Sequence, residues 1–252
     1  MTKLKITSFN IRVNVDKSPN SFDERKTRIF EFIGKEKPDI VGFQEVTDYM
    51  KACLREGLAG YTVVGCGREK NYRGEAMAVA FKTDKFEMIE LKHFWLSFEP
   101  SRPGSKYSGY QSNCPRVTTA VLLKHVDVEK PFWFINTHLD HEGSTGRFLG
   151  ATQLLQFISE LDAPCIVTGD FNAEPEHTEM LLLKAKLTDC TANIKGSFHA
   201  FKELTEEEMS KIDYILTNLP ASDSEGILHD DIPVNGTFMS DHRPVSAFVE
   251  LD

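Results

Sequence analysis

Long apolar runs are missing from this 252-residue sequence. Nothing in it approaches the ~20 apolar residues of a membrane-crossing helix, and stretches such as Asp39–Phe43 are only of strand length. No amphipathic stretch suited to a lipid surface stands out, which argues against lipid cleavage and membrane partners. The opening Met1-Thr2-Lys3-Leu4-Lys5-Ile6 lacks the apolar core and small-residue cleavage site of a secretory leader, so a cytoplasmic location is expected. Cysteine is sparse. The five (Cys53, Cys66, Cys114, Cys165 and Cys190) are odd in number and widely spaced, with no C-x-x-C. That pattern excludes a fully paired disulfide framework and a zinc knuckle, and suits reduced, buried thiols. Positive charge is in deficit: the formal net charge is −9 and the pI about 5.4. Unspecific polyanion binding through counterion release is therefore disfavoured, and a polyanionic substrate would need a local basic patch and metal ions. No Pro/Gly/Ser-rich linker divides the chain, so one domain spanning residues 1–252 is expected, with no obligate protein partner evident.

What the sequence does hold is a succession of short β-like runs rich in Val, Ile, Phe and Tyr. They fall at Leu4–Asn10, Asp39–Glu45, Tyr61–Val64, Ala76–Phe81, Phe86–Trp95, Val117–Lys124, Pro131–His138, Pro164–Thr168, Ile212–Leu216 and Pro244–Val249. Helical patterns are fewer. Ser21-Phe22-Asp23-Glu24 reads as a capping box ahead of Ile29, Phe30 and Ile33 on one face. Ser144–Leu161 places Phe148, Ala151, Leu155 and Ile158 on a second stripe, and Thr205 with Glu208 forms another cap. Runs of strands with helices early, centrally and late predict an α/β (α+β) fold of two packed mixed β-sheets flanked by helices, a four-layer sandwich. The Pro- and Gly-rich segment 97–115 reads as a loop, either site-building or a tolerated excursion.

Polar groups gather where the predicted strands end. Thr7-Ser8-Phe9-Asn10-Ile11-Arg12 delivers an Asn and an Arg, and Gly42-Phe43-Gln44-Glu45 delivers a carboxylate. Asn71-Tyr72-Arg73-Gly74-Glu75 leads into a strand, and Ile135-Asn136-Thr137-His138 ends one. Thr168-Gly169-Asp170-Phe171-Asn172-Ala173 follows, then Lys211-Ile212-Asp213 and Ser240-Asp241-His242-Arg243-Pro244-Val245. Each has an ordinary reading: Glu45 as a solvated strand end, His138 as a structural histidine, Asp170–Asn172 as an Asx turn. Strand ends at one edge of a sandwich converge, however. Glu45, Asp170 and Asp241 together would make the hard, oxygen-rich site that suits Mg²⁺, and two histidines would supply proton-transfer groups beside it.

In order and in kind, from Leu4 to Val249, these motifs resemble those of the endonuclease/exonuclease/phosphatase superfamily. That superfamily includes pancreatic-type deoxyribonuclease, abasic-site endonucleases, carbon-catabolite-repressor-type deadenylases, sphingomyelinases and inositol polyphosphate 5-phosphatases. The resemblance implies a Mg²⁺-dependent phosphoesterase, with Mn²⁺ as a possible substitute. It makes Glu45 the main metal ligand, assisted by Asn10 and Asp241. Asp170 would activate the attacking water, Asn172 would hold a phosphate oxygen, and His138 and His242 would flank the phosphorus. Glu75 would support His138, and Asp213 would support His242. Abasic-site endonucleases carry an Asp two residues after the first Asn, where this sequence has Arg12; that speaks against abasic-site repair.

The motifs define the bond and leave the substrate open. Arg12, Arg73, Lys106 and Arg116 are candidates to grip phosphate, and Trp95, Tyr107 and Tyr110 to stack on a base or sugar. The leading expectation is a phosphodiesterase acting on nucleic acid, exonuclease-like or deoxyribonuclease-like. The alternative is a phosphomonoesterase for a sugar phosphate or similar small metabolite, which the acidic pI suits. A non-catalytic binding module on the same scaffold is disfavoured, because the carboxylates and histidines are all present.

Overall fold

The computed structural model describes residues 2–220 and 225–251, arranged as two mixed six-stranded sheets packed face to face. Sheet one runs β11 (Ile227–Leu228), β12 (Val245–Leu251), β1 (Thr2–Asn10), β2 (Ile40–Val46), β4 (Ala76–Lys82), β3 (Tyr61–Val64). Sheet two runs β5 (Phe86–Trp95), β6 (Val117–His125), β7 (Phe132–His138), β8 (Cys165–Asp170), β10 (Asp213–Thr217), β9 (Thr188–Asp189). Four helices lie outside: α1 (Phe22–Glu36) and α2 (Asp48–Gly57) on sheet one, α3 (Ser144–Ser159) and α4 (Thr178–Lys184) on sheet two.

The period-2 alternation of a strand sorts residues between these layers. Ile40 faces the inter-sheet core with Leu4, Val79, Phe134, Ile166 and Ile215, whereas its neighbour Val41 packs with Ile29, Ile33 and Met50 of the helical layer. On sheet two, Phe134 points inward, and Trp133 and Ile135 meet Ala151 and Leu154 of α3. Both faces of the central strands are buried, which is why they read as nearly unbroken apolar runs.

The strand runs seen in the sequence all appear, shifted at their ends by a few residues. The two-residue strands β9 and β11 and the short helices α2 and α4 were not expected. α1 begins at its capping box, with Ser21 and Glu24 bonding reciprocally, and the cap at Thr205 and Glu208 starts a single 3₁₀ turn, Glu206–Glu208. Of the stripe expected on α3, Ala151, Leu155 and Ile158 pack against the core and Phe148 does not. The buried face of the helix is Gly146, Arg147, Gly150, Ala151 and Leu154, and Phe148 is exposed. The helix approaches the 97–115 loop closely: a Cβ on Gly146 would sit 2.7 Å from the Gln111 Cβ. Arg147 is buried by pairing with Glu179 at 2.6 Å. Apolar periodicity reads neither glycine contacts nor a buried ion pair.

Topology explains the convergence at one edge. β1 and β2 are parallel and joined by a crossover containing α1; β7 and β8 are parallel and joined through α3. The carboxyl ends of all four strands therefore emerge on the same side, where ligands bind in sheets of this kind. β4, β6, β10 and β12 run antiparallel to these pairs, so their amino ends reach the same edge, with Glu75, Arg116 and Asp241-His242 just ahead of β4, β6 and β12 and Asp213 opening β10.

Candidate active site

Glu45 owes its position to a defect in its strand. The β2–β4 register shifts between Phe43 and Val46, and Glu45 itself takes φ 63°. Such a bulge turns a side chain out of the alternation and toward a site. Arg12 (φ 53°) and Asn172 (φ 48°) share this left-handed backbone. It costs non-glycine residues about 1–3 kcal/mol each and clusters at functional sites. Both are held by Asx turns: Asn10 Oδ1 accepts the Arg12 N–H at 3.0 Å, and Asp170 Oδ1 accepts the Asn172 N–H at 2.9 Å. The turn reading of Asp170–Asn172 is thus correct, the turn at Asn10–Arg12 was not foreseen, and both turns build the site.

The acidic groups meet directly. The Asn10 amide nitrogen donates to Glu45 Oε1 and to Asp170 Oδ2, both at 3.0 Å, and the Val13 N–H donates to Glu45 Oε2 at 2.8 Å. Burial works to raise the Glu45 carboxyl, yet these bonds and the charges of His242 and Arg12 hold it below its usual range. Asp241 is raised instead, by burial and with Glu45 adding to the repulsion, against the pull of His242 and Arg12. Its Oδ2 lies 3.7 Å from Arg12 Nε, which also bonds Asp16 at 3.0 Å.

The two histidines are driven apart in charge. Burial alone would lower the pKa of His242, but Asp213 accepts from its Nδ1 at 2.8 Å, and Asp241 and Asp170 add their charge, so it rises to about 10. Its Nε2 is 3.7 Å from Asp170 Oδ2. Asp213 Oδ2 also accepts the Ser197 hydroxyl at 2.6 Å. His138 goes the other way, well below its usual value, through burial and the nearby guanidinium groups of Arg116 and Arg68. Its Nε2 is 3.0 Å from the Asn172 amide nitrogen and 3.5 Å from Asp170 Oδ2. Asp170 sits between the rings, where burial pushes its carboxyl up to about 7 against the pull of His242.

Glu45, His138, Asp170, Asn172, Asp241 and His242 line one cleft of about 310 Å³, together with Arg12, Arg68, Glu75, Arg116, His141 and Phe198, while Asn10 and Asp213 lie behind this lining and reach it through their bonds to Glu45, Asp170 and His242. Several expectations land elsewhere. Glu75 takes Arg68 at 2.7 Å and makes no bond to His138, whose Nδ1 has no partner among the described residues. Arg73 lies in a separate surface hollow with Glu69 and Lys70. Tyr110 is exposed and Lys106 bonds Asn113, neither in the cleft lining. Trp95 and Tyr107 are buried struts, bonding the Arg68 carbonyl and Gln153.

Sequence reasoning missed Arg68, His141 and Phe198 in the lining, and Arg25 beneath it. Arg25 is fully buried on α1 and donates to the carbonyls of Asn20, Ile11, Met239 and Arg12. It thereby fastens the end of β1 to the segment carrying Asp241. Of these, His141 carried a signal: it closes the run Thr137-His138-Leu139-Asp140-His141.

The profile of the endonuclease/exonuclease/phosphatase family matches residues 7–242. The chain belongs to that family. Among solved structures, an endonuclease/exonuclease/phosphatase from Bacteroides vulgatus is 30% identical over 100% of both chains, with a TM-score of 0.91. A mannosyl-6-phosphatase from Bacteroides thetaiotaomicron is 27% identical over 98% of this chain and 100% of its own, with a TM-score of 0.84. D. rerio TDP2 with a single-strand DNA product shares the fold at 16% identity and a TM-score of 0.78, each chain covered fully. A search of curated proteins returns no match.

As a member of the endonuclease/exonuclease/phosphatase family, the chain is a metal-dependent phosphoric ester hydrolase acting on phosphorylated substrates. Its residues fit a divalent cation. Glu45, His138 and Asp170 each offer a donor atom within 4.8 Å of the other two, and the repulsion between Glu45 and Asp241 is what a bound cation relieves. Asn10 bridges Glu45 and Asp170 through its nitrogen and turns its carbonyl to Arg12, an orientation suited to holding the carboxylates together. No helix among the described residues is long and apolar enough to cross a membrane.

Proposed function

We propose that this enzyme is a phosphomonoesterase for a small phosphorylated metabolite of the sugar-phosphate class. The observation that carries the reading is the cleft. Its volume of about 310 Å³ lies at the small-molecule end of ligand pockets, and Arg12, Arg68 and Arg116 are drawn into one small space. A terminal phosphate carries more negative charge than a diester, and a confined cluster of guanidinium groups suits it. The formal net charge of −9 disfavours holding a polyanionic polymer through counterion release. The 27%-identical relative from Bacteroides thetaiotaomicron is a mannosyl-6-phosphatase, which supports the same reading. The nuclease alternative rests on the shared bond chemistry and on fold-level likeness to TDP2.

In this mechanism Asp170 takes a proton from water as the water oxygen attacks phosphorus. Its carboxyl, pushed up to about 7, is matched to a base working near neutral pH. Asn172 donates its amide to a non-bridging oxygen, and Arg116 and Arg12 offset the phosphate charge. His242, cationic in the grip of Asp213, gives its proton to the departing oxygen as the P–O bond breaks. A Mg²⁺ or Mn²⁺ ion, which Glu45 and Asp241 would hold, would supply positive charge against the developing oxyanion.

The test is a panel of sugar phosphates, oligo-RNA and oligo-DNA incubated with Mg²⁺ or Mn²⁺, with chelator and Asp170→Asn as controls. Chelator-sensitive release of inorganic phosphate from a sugar phosphate, reduced on the order of 10²-fold or more by D170N, is the expected outcome. Mononucleotide release with no phosphate from the sugars would replace this reading by the nuclease one.

A further inference from the structure

Glu45, Asp170, His242, Arg116 and His141 line the same cleft, where Asp170 and His242 are buried at 2% and 3% exposure. Arg116 is 4% exposed, and among the described residues its Nε has no hydrogen-bond partner, lying 3.8 Å from Asp140 Oδ1. Arg116 Nη2 lies 2.8 Å from His141 Nδ1. A guanidinium only donates, so Nδ1 of His141 is the acceptor and the ring carries its hydrogen on Nε2. The His141 side chain is 46% exposed, and its Nε2 has one acidic neighbour, the exposed Glu142 Oε1 at 3.4 Å. Depth thus orders the pair, Arg116 inside and His141 at the rim.

Neither residue is free to wander. Asp140, 2% exposed, accepts the N–H groups of Ser112 (3.0 Å), Glu142 (3.1 Å) and Gly143 (2.7 Å), together with the Ser112 hydroxyl. Those bonds freeze the turn that carries His141 and clip the 97–115 loop beside Arg116. A turn wired to a buried carboxylate, presenting one N–H at the mouth of a site, is built to orient a ligand.

We infer that His141 is a specificity residue, its Nε2–H donating to a hydroxyl oxygen of the leaving group while Arg116 holds the phosphate. The inference rests on the monoesterase reading above. Phosphate reaches the inner groups, so the remainder of the substrate must lie toward the rim, where His141 selects for a hydroxylated alcohol. A site built to pair a hydroxyl discriminates strongly against an analogue that lacks it.

The experiment compares wild type, His141→Ala and His141→Gln on mannose 6-phosphate, glucose 6-phosphate and phenyl phosphate, with Mg²⁺ present. On the better sugar ester, H141A is expected to lose about tenfold more kcat/KM than on phenyl phosphate, chiefly through KM, and H141Q, which keeps an N–H donor, to recover part of that difference. Equal losses on both ester types would make His141 a support for Arg116 and overturn the inference. So would turnover of phenyl phosphate without turnover of either sugar ester, although the monoesterase reading would survive. Turnover of none of the three overturns both.

Discussion

His138 and His242 are the same residue type within one cleft, yet their surroundings leave the first neutral and the second cationic. The difference comes from what surrounds each ring: the bonded carboxylate of Asp213 for His242, and burial near the charges of two guanidinium groups for His138. Separation of this kind assigns the proton donor. Asp213→Asn keeps the size of the partner and removes its charge, so it removes the main support of the raised His242 pKa. His242 must be protonated to donate, so activity falls as pH rises through its pKa. In D213N the alkaline limb of the pH–kcat profile is therefore expected at lower pH than in wild type, with kcat down about 10²-fold at neutral pH. An alkaline limb that stays in place would exclude His242 as the acid. Phe198, whose ring lies 4.8 Å from that of His242, is the apolar side of the same arrangement.

At the scale of elements, the site depends on how closely the sheets approach beneath it. Asn136 of β7 donates to the carbonyls of Phe43 (2.8 Å) and Ala78 (2.9 Å) across the interface, and accepts from Gln44 Nε2 at 2.7 Å. Gly42 makes room for this: a Cβ there would lie 2.8 Å from Asn136 Oδ1 and closer still to Thr168 Oγ1. Gly42→Ala is therefore expected to lower stability by about 1–3 kcal/mol, read as a lower urea midpoint. Activity should fall as well, because Asn136 and Gly42 lie just behind His138 and Glu45. An unchanged midpoint would mean the sheets part freely. Strands were legible in the sequence because their apolar runs are dense, and Asn10, Glu45, Asp170 and His242 because a polar group at the end of such a run is conspicuous. α2 was not legible: its buried residues are only Met50 and Leu54, among charged neighbours. Arg68 and Arg25 were invisible for another reason. Arg25 acts through backbone carbonyls, and Arg68 through Glu75 across an intervening turn, so neither falls in a pattern that marks it.

At the scale of the whole molecule, the chain carries buried imidazoles that resist protonation outside the reaction centre. His229 packs edge-on against Phe32 at 4.9 Å, and its Nε2 is 2.8 Å from Ser246 Oγ. Burial lowers its pKa to about 4, with Glu36 and Asp230 opposing and Lys5 and Lys35 assisting. His199 is lowered to about 4 likewise, by burial and the nearby charges of His242 and Arg243. An unfolded chain protonates these rings near pH 6.5, whereas the folded chain resists until about pH 4, so between those values the unfolded state binds more protons. Their contribution is complete above pH 6.5 and is lost progressively as pH falls toward 4, for His229 on the order of 3 kcal/mol. The family's carboxylates titrate over much of the same range, so wild type alone cannot isolate the effect. His229→Gln can: an amide preserves a bond to Ser246 and removes the titration. The difference in urea-unfolding free energy between wild type and H229Q should favour wild type most at pH 7 and narrow steadily to pH 4.5. A difference that stays constant across that interval would place the acid sensitivity elsewhere, in the carboxylates at the sheet edge.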